Sequence, residues 1–378
     1  MPFSQDRGGL EALLPYLLAW RTTALRDREV VDALVHPAHA APSPELARAL
    51  AGWPGRYYWS EEAGGRWLVL TRRTAPVRER WWLHAALFLL TLCTTTIAGA
   101  VLQGAAQVND GWGLLRGRLV LLADPGHAVA AGLVFSAPLM AILLLHELGH
   151  YVTARRYLLD VSPPYFLPVP LWPSFIGTMG AFIRLRTLLS DRRQLFDVGI
   201  AGPIAWFAVA LPVLLLGLHW SHPLPPIRGL SGMVLLIGQE PFPLGDSLVT
   251  LVGRWITHGN LGPLLVHPLA FAGVLGMFVT MINLMPMAQL DGGHILYAAL
   301  PRWHQRVALG FWGVVLVLGH WWVGWYVWAG LVLFVSRGRL DHPTVLEAQR
   351  PLPASRRRLS GVALALFVLT FMPVPFRL

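Results

Sequence analysis

The stretch His146-Glu147-Leu148-Gly149-His150 concentrates more chemistry than any other part of this 378-residue chain. On a helix, side chains four residues apart lie over one another, so both imidazoles can reach one zinc ion while the glutamate between them faces a water on that metal as general base. A catalytic zinc site takes three protein ligands and keeps one position open, so a third ligand has to come from elsewhere in the chain. Asp291, in Asn283-Leu284-Met285-Pro286-Met287-Ala288-Gln289-Leu290-Asp291-Gly292-Gly293-His294, is the strongest candidate, because it follows a long apolar run just as His146 ends one. Its competing role is an N-cap for a helix starting near Gly292, which aspartate often fills. His294 is a rival ligand, and His267 and His84 are weaker ones, suited to interfacial or internally bonded positions.

The elements that position these residues follow from hydropathy. Residues of the apolar set make up 55% of the chain, charged residues 13%, and the mean hydropathy is +0.52; soluble domains carry about 25% charge. A disordered chain is excluded and an ordinary soluble enzyme disfavoured. Runs at 83–104, 128–152, 198–218 and 267–285 approach or exceed the ~20 residues a spanning helix needs, 307–335 reads as two short spans broken near Gly319-His320, and 361–373 is the last. The expected fold is a polytopic α-helical membrane protein of six or seven spans. The first 18 residues of the 128–152 run hold no charge, and three ionisable groups then end it. An acid at the centre of a spanning helix costs at least ~2.5 kcal/mol, so such groups mark function.

Residues 1–80 differ from the rest, holding 11 of the 30 arginines, 6 of the 9 glutamates and no long apolar run. They read as a small α+β domain, with helices at 11–20 and 44–51 and a β-hairpin from 56–60 and 66–71; residues 81–378 form the membrane domain, its core at 128–300 and additional spans at 307–335 and 361–373. No basic patch plus apolar core of a signal peptide opens the chain, which points to a cytosolic amino terminus. Charge asymmetry agrees: with that terminus inside, the inner segments beyond residue 80 hold 14 arginines and the outer ones 5. The expected location is a bacterial plasma (inner) membrane. Every basic residue is arginine, and the +10 net charge sits at the ends of apolar runs rather than on a polar face, which argues against nucleic acid as a partner. The single cysteine, Cys93, lies inside an apolar run, excluding an internal disulfide framework or a cysteine-based zinc site.

The pairing of His-Glu-Leu-Gly-His with Asn283-x-x-Pro286-x-x-x-x-Asp291-Gly292 resembles the site-2 protease family of intramembrane zinc metalloproteases. Gly177-Thr178-Met179-Gly180-Ala181 and Phe196-Asp197-Val198-Gly199-Ile200-Ala201-Gly202-Pro203 fit the same pattern, so the likeness covers about 83–301. The resemblance implies one Zn2+ held by His146, His150 and Asp291, with Glu147 as catalytic acid/base and Asn283 positioning the substrate. It implies single-span membrane proteins as substrates, cut within the bilayer in regulated intramembrane proteolysis. The loop at 220–266 is too short for the peptide-binding domain some members insert, which leaves the amino-terminal domain as the expected binder of a regulator.

Prolines 163, 164, 168, 170 and 173 exclude a spanning helix at 165–186. A β-structure or re-entrant loop beside the metal is expected there, in which Gly177 and Gly180 let a substrate backbone approach an edge strand. Gly199 and Gly202 suit close helix packing; Trp81, Trp82, Trp321, Trp322, Trp325 and Trp328 suit interfacial anchoring. Competing functions are another membrane zinc hydrolase, such as a prenyl-protein endoprotease, and a non-catalytic zinc-binding membrane protein. The second has no use for Glu147, since binding needs only ligands.

Overall fold

Short runs rich in β-branched and aromatic residues at 28–35 and 65–73 build strands, the first with alternate residues buried, whereas the long uninterrupted apolar runs after residue 80 build helices. The computed structural model describes residues 8–24, 28–39, 43–62, 65–73, 79–109, 118–169, 176–186, 189, 191–225, 231–237, 240–342, 345 and 351–377. The chain divides into two units: one takes Met1–Glu79 with Ala154–Ser162 and Leu185–Ser190, the other takes the remainder.

In the first unit a helical turn, α1 (Gly8–Glu11), leads to β1 (Leu17–Ala24), β2 (Arg28–Val35), α2 (Pro44–Ala51), β3 (Arg56–Glu62) and β4 (Gly65–Arg73), with the antiparallel sheet ordered β1-β2-β4-β3. Val31, Val35, Leu68 and Leu70 pack on Leu46 and Leu50 of α2, together with Leu13 and Trp53. Ser43 accepts the Leu46 N–H and Pro44 occupies the first turn, which starts α2 where its donors need no helical partner. The helix expected at 11–20 does not form. Pro15 removes a donor, and Trp20, Thr22 and Thr23 pair with Ala33, Val31 and Val30 of β2, where aromatic and β-branched side chains pack well. The expected hairpin is β3–β4; its tip, Ala63 and Gly64, lies outside the described residues. Within the same unit Val161 bridges Leu185, the Arg186 N–H donates to the Asp160 carbonyl at 2.9 Å, and the Arg186 guanidinium pairs with Glu79 and Asp160.

The second unit begins with α3 (Trp81–Leu102), the hairpin β5 (Ala106–Asn109) and β6 (Arg118–Leu121), α4 (Pro125–Arg156), the hairpin β7 (Tyr165–Pro168) and β8 (Thr178–Phe182), and α5 (Arg192–His219); the last turn of α4 is counted with the first unit. The loop at 220–266 folds into β9 (His222–Pro223), β10 (Met233–Ile237), β11 (Glu240–Leu244), α6 (Leu248–His258) and β12 (Leu264–Leu265), a sheet ordered β11-β10-β12-β9. Then come α7 (Pro268–Asn283), α8 (Asp291–Ala299), α9 (His304–Leu318), α10 (Gly324–Val335) and α11 (Ala354–Thr370). Among the described residues three helices are long and apolar enough to cross a membrane: α3, α4 and α5, of 22, 32 and 28 residues. α7, α9 and α10 are apolar but hold 16, 15 and 12 residues, about 24, 22 and 18 Å at the helical rise, against a hydrocarbon core of about 30 Å. Hydropathy alone had counted these runs as spans.

The core of this unit lies among α4, α5 and α7, where Phe135 stacks on Phe271 with centroids 5.6 Å apart and Trp206, Met277 and Met281 are buried. Of the tryptophans expected at an interface, Trp81, Trp82 and Trp321 are exposed. Trp325 is instead fully buried, its indole N–H donating to the Pro373 carbonyl at 2.7 Å. Arg254, one of the five arginines assigned to the outer side, is a fixed internal group: its guanidinium bonds the Asp246 carboxylate at 3.0 Å and the carbonyls of Leu261 and Gly262 at 2.6 and 2.7 Å.

Candidate metal centre

α4 carries His146, Glu147 and His150 on consecutive turns, and all three are buried. α8 starts at Asp291, immediately after the tight turn that follows α7. The residue in the cap position is Leu290, with no side-chain cap bond, so Asp291 is a first-turn residue rather than an N-cap. Its carboxylate turns toward the imidazoles instead: Oδ2 lies 3.3 Å from His146 Nε2 and 3.3 Å from His150 Nε2, and the two Nε2 atoms are 3.0 Å apart.

That triangle tests the fit of a metal. His150 Nδ1 lies 2.7 Å from the Val198 carbonyl of α5, so Nδ1 carries the proton and donates it, leaving the Nε2 lone pair aimed at the triangle. The His150 Nε2 lone pair and the Asp291 carboxylate thus face one buried point beside His146 Nε2, and with His146 in the same tautomer the three donors repel one another unless a cation lies between them. Tetrahedral zinc with bonds of about 2.0–2.1 Å has donor–donor edges of about 3.3–3.4 Å, close to the 3.0, 3.3 and 3.3 Å seen here. No other set of three such residues meets the same condition among the described residues. The two-histidine, one-carboxylate donor set suits zinc and leaves a fourth position for water.

α5 supplies no ligand yet shapes the site. A Cβ on Gly202 would lie 2.1 Å from His150 Nε2 and 2.5 Å from Cε1, so only glycine leaves room for the ring. The sequence pattern assigns Gly202 to helix packing; in the structure its missing side chain makes room for the His150 ring. Gly199 is the packing residue of the pair, since a Cβ there would lie 3.1 Å from the His294 Cβ in α8.

The other expected residues are placed as follows. Asn283 is the last residue of α7 and half-buried. Gly177 has φ +84°, and a Cβ on it would lie 2.5 Å from the Thr94 carbonyl; Thr94 Oγ1 donates to the Gly177 carbonyl at 2.7 Å. Gly177 thus fits the hairpin against α3. Gly180 has φ +104° with nothing within 4 Å of a built Cβ, and it lies on β8 beside Met179, which is 69% exposed. β8 pairs with β7 through Tyr165↔Phe182, Phe166↔Ala181 and Pro168↔Thr178, and its other edge has no strand partner among the described residues. Pro170, Pro173, Ser174 and Phe175 lie outside the described residues.

The rival ligands are engaged elsewhere. His84 Nδ1 bonds the Pro164 carbonyl at 3.0 Å with its ring on Tyr165, His267 caps α7 by accepting the Leu269 N–H at 3.2 Å, and His294 Nδ1 bonds His342 Nε2 at 2.7 Å. The Val198 carbonyl and His342 were not picked out from sequence: a carbonyl acceptor has no residue signature, and His342 belongs to no recognisable motif.

Residues 134–318, which hold all four site residues, match the family profile described as Peptidase family M50. The probable zinc metalloprotease EGY2, chloroplastic, of Oryza sativa subsp. indica is 30% identical over 273 residues, covering 70% of this chain and 46% of that protein. The probable zinc metalloprotease EGY1, chloroplastic, of Arabidopsis thaliana is 29% identical over 249 residues, covering 65% and 44% respectively. This chain therefore spans less than half the length of these relatives. No solved structure matches the chain.

Proposed function

Because residues 134–318 of the chain belong to peptidase family M50, the site-2 protease family, we propose that it is a zinc-dependent intramembrane endopeptidase acting on membrane-spanning proteins. The observation that carries this reading is the convergence of His146, His150 and Asp291 at 3.0–3.3 Å with Glu147 in the turn between the two histidines. Zinc, when bound, supplies Lewis acidity, making water nucleophilic near neutral pH and polarising the carbonyl under attack. His146, His150 and Asp291 hold it, and the His150–Val198 bond keeps that ring in the ligating tautomer. Glu147 accepts the proton of the attacking water and returns it to the leaving amine. A non-catalytic zinc protein would leave that carboxylate without a task.

A substrate helix hides its carbonyls in hydrogen bonds and has to unwind before attack. Pairing the unwound segment on the edge of β8 that has no strand partner among the described residues replaces those bonds. Gly180 keeps the edge clear of side-chain atoms, Asn283 offers a polar group to orient the chain, and the packing of Gly177 on Thr94 holds the hairpin in place.

The substrates are single-span membrane proteins, cut in regulated intramembrane proteolysis, and the amino-terminal unit binds the regulator. The chain crosses the bilayer six or seven times, the shorter helices α7, α9, α10 and α11 completing what α3, α4 and α5 begin. The amino-terminal unit faces the cytosol, as the 14-to-5 arginine asymmetry supports. We place the protein in a bacterial plasma membrane; the named relatives are chloroplastic. The full chain in lipid nanodiscs should contain one zinc per chain and cleave a model single-span protein. A metal-free preparation that still cleaves would overturn the assignment.

A further inference from the structure

After α10 the chain turns back along the loop and helix that present Asp291. Buried Leu340 accepts the Ala288 N–H at 3.0 Å. Ala288 has φ +50°, a left-handed conformation that side-chain-bearing residues adopt only when their surroundings impose it. The turn it belongs to is closely packed, since a Cβ on Gly293 would lie 2.4 Å from the Ala288 carbonyl. Two residues beyond Leu340, His342 reaches the other side of the ligand. Its Nε2 lies 2.7 Å from Nδ1 of His294, one turn past Asp291, and its ring stacks on Tyr297 with centroids 4.6 Å apart and 21° between planes. The strap thus grips the chain three residues before Asp291 and three residues after it.

We propose that His342 is a positioning residue for the metal ligand Asp291, through a strap at 340–342 that fixes the first turn of α8. The strap lies outside the family-matching residues 134–318, so it is a device of this chain's carboxyl-terminal part. The chemistry suits the task. Buried polar groups are costly when unpaired, so the His294–His342 pair tolerates only the packing in which each satisfies the other. An apolar contact of equal area would let α8 slide. Metal–donor distances in well-formed sites fall within about 0.2 Å of standard values, so a ligand that starts a helix gains from having that helix held in place. His304 lies edge-on to His342 with centroids 6.0 Å apart and closes the far side of the cluster.

The inference rests on reading His146, His150 and Asp291 as zinc ligands, and the experiment separates the two. Zinc affinity of the full chain in nanodiscs is measured by competition with a chromophoric chelator, alongside the melting temperature of the metal-free protein. His342→Ala should weaken zinc by about 10–100-fold, the usual effect of losing a group that orients a ligand, with His342→Gln, which keeps a hydrogen-bonding end, recovering most of the loss. Leu102→Ala, a cavity variant at the end of α3, reports general destabilisation. Wild-type affinity in His342→Ala would overturn the proposal, and so would an equal loss in Leu102→Ala. Should His342→Ala fail to fold, His342→Gln against His342→Leu makes the same comparison. A wild-type chain that binds no zinc would instead sink the metal-site reading itself.

Discussion

Replacing Gly202 by alanine should destroy the metal site while leaving every ligand in the sequence. The added Cβ would lie 2.1 Å from His150 Nε2, 2.5 Å from Cε1 and 2.6 Å from Cδ2. Non-bonded heavy atoms settle at about 3.5–4.0 Å, so the ring or the helix has to yield by more than ~1 Å. The ring has no slack, because it is buried and its Nδ1 is tied to the Val198 carbonyl at 2.7 Å. α5 has none to give either: the wall at Gly202 and the clamp at Val198 belong to the same helix, so withdrawing one drags the other. A donor displaced by more than ~1 Å falls far outside the spread of about 0.2 Å that ligand distances show in well-formed sites. Losing a supporting group alone costs 10–100-fold, so displacement of a ligand should exceed ~100-fold, more than about 2.8 kcal/mol at 1.4 kcal/mol per tenfold. Folding should suffer only the ~1–3 kcal/mol of an overpacked site. The measurement is zinc retained per chain across a graded chelator series, with the unfolding temperature of the metal-free form alongside. Gly310→Ala is the control, since nothing lies within 4 Å of its built Cβ. A Gly202→Ala protein that binds zinc like wild type would refute the geometry.

Glu147→Gln should keep its zinc and lose turnover by about 10²–10⁴-fold, because the proton carrier goes while the ligands stay; His146→Ala and Asp291→Ala should lose both, and zinc retained by Asp291→Ala would remove it from the ligand set. Gly180→Val forces a β-branched residue to φ +104° and should impair cleavage with zinc content unchanged. A photo-crosslinker at exposed Met179 should capture a substrate trapped on Glu147→Gln, and absence of a crosslink alongside normal cleavage by Gly180→Val would dispose of the edge-strand mechanism. In a Cys93→Ser background, single cysteines at Ser60 and Ser231 should label from opposite sides of the membrane with an impermeant reagent; labelling from one side would invert the topology of one end.

What could be read from sequence was whatever the helix repeat or the cost of a buried charge enforces. His146 and His150 had to share a face because they are four apart, and Asp291 stood out as an acid at the end of an apolar run. The misreading of 11–20 has the opposite origin: its local pattern admits a helix, but the partners that decide its state lie in β2, and non-local pairing overrides local preference. Hydropathy also places the break near Gly319-His320, which falls between α9 and α10 because two glycines flank a stretch with no helical continuation; what it does not give is helix length, since it measures how apolar a run is and not where the backbone turns.

The parts of the site that escaped the sequence are those made of backbone and of missing atoms. α5 contributes no ligand, yet it fixes the tautomer of one through a carbonyl and makes room for its ring through a glycine. The His150 ring therefore keeps Nε2 aimed at His146 and Asp291 only while α5 keeps its present register against α4. At Gly149 a Cβ would lie 2.5 Å from the Ala201 carbonyl of α5, so the same two helices meet backbone to backbone one residue from His150 and one from Gly202. A side chain added at either glycine presses on the α4–α5 contact that seats the His150 ring. Gly149→Ala should accordingly lower zinc affinity by separating the helices, and retention of wild-type affinity there would show that the clamp has more play than the distances allow.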